Sequence, residues 1–179
     1  MSVVATALAQ MGATSAAYLR DYFRGTGGRI YVAAIRNPKS KMPPGEVDKL
    51  LTRAPGEVER FVAAYDRPEC DCAIYYCTAT LHDGHVKRDA AGCRQFPSLF
   101  ADTDDKNHEL DRDRVIALLE GLECPPTMIV NSGHGLQPHW LLAEPSEDAK
   151  RIIAARMKLH ALVASDAVHD APRHSRAIP

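Results

Sequence analysis

The sequence has almost no excess of charge: 22 Lys and Arg stand against 23 Asp and Glu, a formal net charge of −1. A strongly basic chain would predict nucleic-acid binding over a broad surface, whereas this balance confines any such binding to a local patch. No apolar run is long enough to span a bilayer. Residues 1–10 lack the basic start and long apolar stretch of a secretory signal. These absences predict a cytoplasmic protein.

The five cysteines do not follow the pattern of a disulfide framework or of a zinc site. Their number is odd, and the C-x-C-x4-C spacing of Cys70, Cys72 and Cys77 lacks the C-x2-C knuckle of zinc sites. Cys72 and Cys77 are an odd number of residues apart on a predicted strand, so their side chains should face opposite ways. We therefore expect buried, reduced thiols. A P-loop and a GxGxxG turn are also absent.

Hydrophobic periodicity and breaker residues divide the chain into helices and strands. Helices are predicted at 4–24, from Pro44, from Pro55, at 110–122 and at 146–163, and strands at 29–36, 72–80, 98–102, 127–131 and 138–144. The starts at Pro44 and Pro55 rest on two Pro-Gly-Glu-Val tetrads, because Pro and an early Glu favour a first helical turn. The mixture predicts an α/β or α+β sheet with packed helices. The last three strands should be neighbours, and the last two should form a hairpin.

Two acids follow directly on an apolar strand, in Leu-Phe-Ala-Asp-Thr-Asp. Side chains alternate along a strand, so Asp102 and Asp104 should project to the same side. Two carboxylates so close repel each other unless a cation lies between them, and oxygen ligands of this kind suit Mg²⁺ or Mn²⁺. The competing interpretation is a solvated strand end, where Asp-x-Asp is common.

A glycine-rich turn joins the last two predicted strands, as Ser132-Gly133-His134-Gly135. Glycines let the backbone approach a ligand closely, and consecutive N–H groups can cradle a phosphate. A plain hairpin turn, with Trp140 in the core, is the alternative.

Near the end of the chain two acids, Asp166 and Asp170, precede two arginines three residues apart, whose guanidinium groups suit phosphate oxygens. The arginines are Arg173 and Arg176.

In this order the three segments resemble the motifs of the archaeo-eukaryotic primase superfamily, above all the primase-polymerases of phages, plasmids and integrated mobile elements. The first motif, an apolar strand ending in D-x-D or D-x-E, matches Asp102 and Asp104. The second, a Pro-rich entry, an apolar strand and S-G-x-G-[L/V]-[H/Q]-x-[Y/F/H]-W, matches 125–140. The third is an Asp followed by an arginine pair, with Asp166 as the match and Asp170 as its rival. The resemblance covers residues 70–179 well.

This resemblance implies an α+β fold: a mixed or antiparallel, RRM-like sheet with packed helices and an N-terminal α/β lobe. A single catalytic domain would span 1–179, with the lobe in 1–70 and the motif-bearing core in 71–179. Relatives continue past the arginine pair into a Pro-Gly-Thr segment, so the stop at Pro179 predicts a C-terminus that is truncated.

The resemblance also implies a site and its partners. The activity would be template-directed nucleotidyl transfer, as a DNA primase and DNA polymerase, with two Mg²⁺ or Mn²⁺ ions. The partners would be a DNA template and primer, nucleoside triphosphates, and a helicase fused or encoded downstream. The implied metal ligands are Asp102, Asp104 and Asp166, with Asp170 as a further candidate catalytic acid. The implied nucleotide-binding residues are Ser132, Gly133, His134, Gly135, Gln137, His139, Arg173 and Arg176.

One departure from the second motif keeps an alternative open. The position that often carries a phosphate-contacting histidine is Gln137 here, and His134 or His139 would have to take its place. The alternative is a catalytically weak or inactive nucleic-acid-binding replication module of the same fold. A metal-dependent phosphoesterase and a plain interaction domain are the remaining hypotheses. Primer extension with Mn²⁺ separates an active enzyme from an inactive relative.

Overall fold

The computed structural model describes residues 15–37, 40–87, 89–104, 112–131, 135–163 and 174–176. These residues form four α-helices: α1 Ser15–Tyr22, α2 Pro55–Tyr65, α3 Arg112–Glu120 and α4 Ala149–Val163. They also form nine strands: β1 Ile30–Arg36, β2 Glu46–Thr52, β3 Cys72–Cys77, β4 Thr80–Leu81, β5 Cys93–Phe100, β6 Thr103–Asp104, β7 Met128–Asn131, β8 Gly135–Ser146 and β9 His174–Arg176. None of the described helices is long and apolar enough to cross a membrane.

The strands form two sheets in which every pairing is antiparallel. One sheet has the order β2-β1-β3-β9, and the other has the order β4-β5-β8-β6 with β7 also paired to β8. An isolated bridge between Arg29 and Leu81 connects the two sheets. β7 and β8 form the predicted hairpin, and β5 is the neighbour of β8 on its other side. The predicted α+β class and antiparallel sheet are thus confirmed.

The helix predicted from Pro44 is wrong, because Glu46–Thr52 is the edge strand β2. The stretch between Gly45, which has φ +132°, and Pro55 is too short for a helix that is stable by itself. Pairing with the buried strand β1 satisfies its backbone groups instead, and the Tyr31 hydroxyl donates to Glu46 across the pair at 2.8 Å. The second tetrad does begin a helix, since α2 starts at Pro55.

The two central strands of the four-stranded sheet, β1 and β3, are buried on both faces, which explains their nearly continuous apolar sequences. One face, with Val32 and Tyr76, packs against α1 and α2. The other face, with Ala33 and Cys77, packs against Phe96 and the start of α4. Cys72 belongs to the first of these faces and Cys77 to the second, so the two thiols face opposite ways as predicted. All five cysteines are free.

Candidate functional site

The acid motif lies where β5 ends and β6 begins. Ala101 is 1% exposed and donates its N–H to the Pro138 carbonyl at 3.1 Å, and Thr103 is also buried and donates its hydroxyl to the Leu136 carbonyl at 2.9 Å. Asp102, between these two anchors, is half-exposed. The backbone of Asp104 pairs with Gly135, and its side chain lies outside the described part of the structure. Hydrogen bonds therefore hold the acid motif against the first residues of β8.

The glycine-rich motif meets the acid motif at this point. Gln137 of β8 is 6% exposed, and its amide nitrogen donates to the Asp102 carboxylate at 3.4 Å. An ionised carboxylate only accepts hydrogen bonds, so the NH₂ end of the amide must face it. Asn131 and Leu136 form the last pair of the β7–β8 hairpin before the turn. The described structure thus brings two of the three predicted motifs to one end of one sheet.

The glycine-rich turn and the third motif lie largely outside the described residues. Ser132, Gly133, His134, Asp166, Asp170 and Arg173 lie outside the described residues. Arg176 is described by its backbone, which pairs with Tyr75 at the edge of the four-stranded sheet. Among the described residues, no group of three or more His, Cys, Asp or Glu side chains is placed to hold a metal ion. Convergence of a third acid on Asp102 and Asp104 stays a prediction.

The donor chemistry of the described part of the site fits a hard divalent cation. Asp102 presents a carboxylate that solvent reaches, on a backbone whose two neighbours are anchored. The Gln137 amide hydrogen-bonds this carboxylate at 3.4 Å, a length at the weak end for such bonds. Oxygen donors of this kind are the ligands of Mg²⁺ and Mn²⁺.

The position of His139 argues against its predicted contact with the nucleotide. His139 is fully buried, stacked on Phe100 at 5.7 Å and edge-on to Tyr22 at 5.5 Å between ring centroids. Burial, helped by the positive charge of Arg156, lowers the pKa of His139 to about 3. A neutral imidazole inside the core offers no cation to a phosphate. We therefore correct its assignment to a packing role beneath the site.

Comparison with solved structures finds the AEP domain of the cyanophage S-2L primase-polymerase. The two structures are similar with a TM-score of 0.59 and 16% sequence identity, over 89% of this chain and 78% of the phage chain. The chain therefore has an archaeo-eukaryotic primase fold. No family model and no curated protein matches the sequence. The likeness confirms the fold that the three motifs predicted, and it leaves the chemistry to be argued from the site.

Two arginines near the site were not predicted from the sequence. Arg112 begins α3 and donates to the Asn131 side chain at 3.3 Å, directly before the glycine-rich turn. Arg156 of α4 is 1% exposed, and its guanidinium carbon lies 4.4 Å from the centroid of the Phe100 ring. One pattern in the sequence could have revealed Arg156, because it lies four residues after Ile152 on the buried face of an amphipathic helix. It supports the strand end that presents the acids.

Proposed function

We propose that this chain is a template-directed nucleotidyltransferase, acting as a DNA primase and DNA polymerase of a phage, plasmid or integrated mobile element. The observation that carries the proposal is the junction of the two motifs, where Gln137 contacts Asp102 and Asp104 pairs with Gly135. An acid pair beside a glycine-rich turn, on a primase fold, suits a reaction between a hydroxyl and a triphosphate. The cyanophage neighbour is itself named a primase-polymerase.

In this proposal Asp102, Asp104 and Asp166 hold two divalent ions, Mg²⁺ or Mn²⁺. Such ions make the primer 3′-hydroxyl more acidic and neutralise charge on the triphosphate and the leaving pyrophosphate. Ser132 and the backbone from Gly133 to Gly135 hold the phosphates, because glycine lets N–H groups come close to them. Their charge and the family motif make His134, Arg173 and Arg176 further phosphate-binding residues in this proposal.

The protein's own groups also position the acids. The hydrogen bonds of Ala101 to Pro138 and of Thr103 to Leu136 hold the segment on either side of Asp102. The Gln137 amide orients the carboxylate from the neighbouring strand. The expected partners are a primed DNA template, nucleoside triphosphates and a helicase, fused or encoded downstream, and the expected location is the cytoplasm.

Primer extension by wild type and Asp102→Asn, with Mg²⁺ or Mn²⁺, tests this function. The substitution keeps the size of the side chain and removes the charge, so extension should fall by about a hundredfold or more. Mn²⁺ binding measured by calorimetry should weaken in parallel. Asp113→Asn, an acid in the first turn of α3, is the matched control and should behave as wild type. Full activity of Asp102→Asn would exclude the two-metal proposal.

One observation favours the alternative of a catalytically weak or inactive replication module. Gln137 stands where the related motif often has a histidine, and it is both nearly buried and hydrogen-bonded to Asp102. A neutral amide in this position gives a phosphate less electrostatic stabilisation than a cation would. If wild type binds nucleotide and DNA without extending a primer, and Gln137→His gains extension, the alternative is correct for the natural chain.

A further inference from the structure

Five arginines lie around the loop that joins α1 to β1, and we call them the arginine surface: Arg20, Arg24, Arg29, Arg53 and Arg94. The backbone of Arg29 exchanges two 2.9 Å hydrogen bonds with Leu81, which fixes the loop against β4. Gly27 donates its N–H to the Gln95 side chain at 2.6 Å. A Cβ placed on Gly27 would be 3.8 Å from the Arg94 guanidinium, so Arg94 lies against the same loop.

Arg53 joins this cluster through Asp83. Its Nε donates to the Asp83 carboxylate at 3.0 Å, and its Nη2 makes a second bond to the same group. These hydrogen bonds, and the charges of Arg53, Arg94 and Arg29, hold the pKa of Asp83 below its usual range, although burial opposes the shift. Asp83 thus ties Arg53 to the region where Arg94 lies beside Gly27 and Arg29 bonds to Leu81.

The arginine surface carries more positive charge than its acids neutralise. Asp21 pairs with Arg20 and Arg24, and Asp83 pairs with Arg53. Five arginines against these two aspartates and Glu147, which accepts from Gln95 at 3.0 Å at the border of the surface, leave an excess of two charges. The whole chain has a formal charge of −1, so this excess is a local concentration and not a property of the composition.

A small cleft lies beside these charges. Its volume is about 280 Å³, its floor is apolar, with Leu19, Phe23, Ile30 and Val58, and Arg20 and Arg24 lie at its edge. An apolar recess beside guanidinium groups suits a single strand, whose bases leave water while its phosphates meet the arginines. A duplex keeps its bases stacked inside and would not use the recess.

The arginine surface is far from the catalytic acids. Arg94 is the second residue of β5, and Asp102 lies two residues beyond the end of that strand. The eight residues between them span roughly 26 Å at the rise of a β-strand. A triphosphate in the acid site therefore does not reach these arginines, whereas a strand leaving the site does.

We propose that the arginine surface binds the phosphate backbone of single-stranded template DNA outside the acid site. The identification of the bound polyanion as template DNA rests on the proposed function. The contact itself rests on the geometry of the arginines. It gives a nearly neutral chain the local patch that binding to a polyanion requires.

Fluorescence anisotropy with labelled single-stranded oligonucleotides of 16 and 6 nucleotides, in a chelator, tests the surface. The variant is the double substitution Arg24→Ala with Arg94→Ala, because these side chains are not needed to hold Asp83 as Arg53 is. The control is Arg67→Ala, an exposed arginine at the opposite end of α2. Thermal unfolding of all three proteins verifies that they are folded.

The double variant should bind the 16-mer about five- to fiftyfold more weakly, and the slope of log Kd against log salt should fall by about 1.4, or 0.7 for each lost phosphate contact. Arg67→Ala should bind as wild type. The 6-mer should also bind the double variant more weakly, because a strand of that length can contact the arginine surface without reaching the acid site. An unchanged 16-mer affinity and salt slope would overturn the proposal, and so would an equal loss in Arg67→Ala.

This experiment separates the surface from the proposed function, because binding in a chelator does not require metal-dependent catalysis. If wild type fails to extend primers while the double variant still loses affinity for the 16-mer, the enzyme proposal fails and the surface stands. If wild type extends primers while the double variant binds DNA unchanged, the surface fails and the enzyme proposal stands.

Discussion

Replacing His139 should change how the stability of the protein depends on pH. The His139 ring is fully buried between Tyr18, Tyr22 and Phe100, with the Arg156 guanidinium nearby. Its pKa is about 3 in the folded protein, against 6.5 for a histidine in an unfolded chain. The folded protein therefore holds the ring neutral, while the unfolded chain takes up a proton as the pH falls below 6.5.

The sign and size of the effect follow from these two values. Above pH 6.5 neither state binds the proton, so the contribution of the neutral ring to stability is fully present. Between pH 6.5 and about 3 only the unfolded state binds it, so the free energy of unfolding falls as the pH falls, by about 1.4 kcal/mol per unit. From pH 6.5 to 4.5 the loss from this one residue is about 2–3 kcal/mol.

Urea unfolding followed by far-ultraviolet circular dichroism, at pH values from 7.5 to 4.5, measures this loss. His139→Phe removes the titrating group and keeps an aromatic ring, so its stability should fall by about 2–3 kcal/mol less than that of wild type over this range. His82→Asn, at an exposed position, is the control and should follow wild type. Parallel pH dependences for wild type and His139→Phe would refute the reasoning, whatever the stability of the variant at neutral pH.

Other substitutions test the packing and the site. A Cβ on Gly28 would lie 2.5 Å from the Thr80 hydroxyl oxygen, so Gly28→Ala should lower the free energy of unfolding by about 1–3 kcal/mol in urea titrations. Gly56 lies in the first turn of α2, and a Cβ there would have nothing within 4 Å, so Gly56→Ala should raise the free energy of unfolding by about 0.5–1 kcal/mol. Equal changes in the two glycine variants would contradict the geometry. Gly135→Val should weaken triphosphate binding about tenfold or more in calorimetry, because a side chain there blocks approach to the backbone. Asp102→Asn should not lower thermal stability, since it relieves repulsion between carboxylates in the metal-free protein.

The hairpin and the strand order of the site could be predicted from the sequence because their determinants are local. An apolar run on each side of Ser-Gly-His-Gly predicts two paired strands, and the structure begins the second one at Gly135, three residues before its predicted start. The Asp-x-Asp at a strand end likewise needs no distant information. The motifs could be assigned from these short-range patterns, and the fold was then predicted from the motifs.

The features of the fold that the sequence did not predict depend on contacts between segments that are far apart along the chain. β2 has a helix-like start, and only its pairing with the buried strand β1 makes it a strand. Alternation along β8 places Gln137 and His139 on one face, but it does not show that α1 covers His139 with Tyr18 and Tyr22. The arginine surface collects residues from positions 20 to 94, which are far apart along a chain of balanced charge.

The central claim is that the acid pair and the glycine-rich turn form one metal-dependent nucleotide site. A crystal structure with a non-hydrolysable nucleoside triphosphate and Mn²⁺ tests it most directly, because the anomalous scattering of manganese locates the ions independently of the protein density. We predict manganese peaks in contact with Asp102 and Asp104, and triphosphate oxygens against the backbone at Gly135. Manganese or triphosphate bound elsewhere, away from Asp102 and Gly135, would contradict the account.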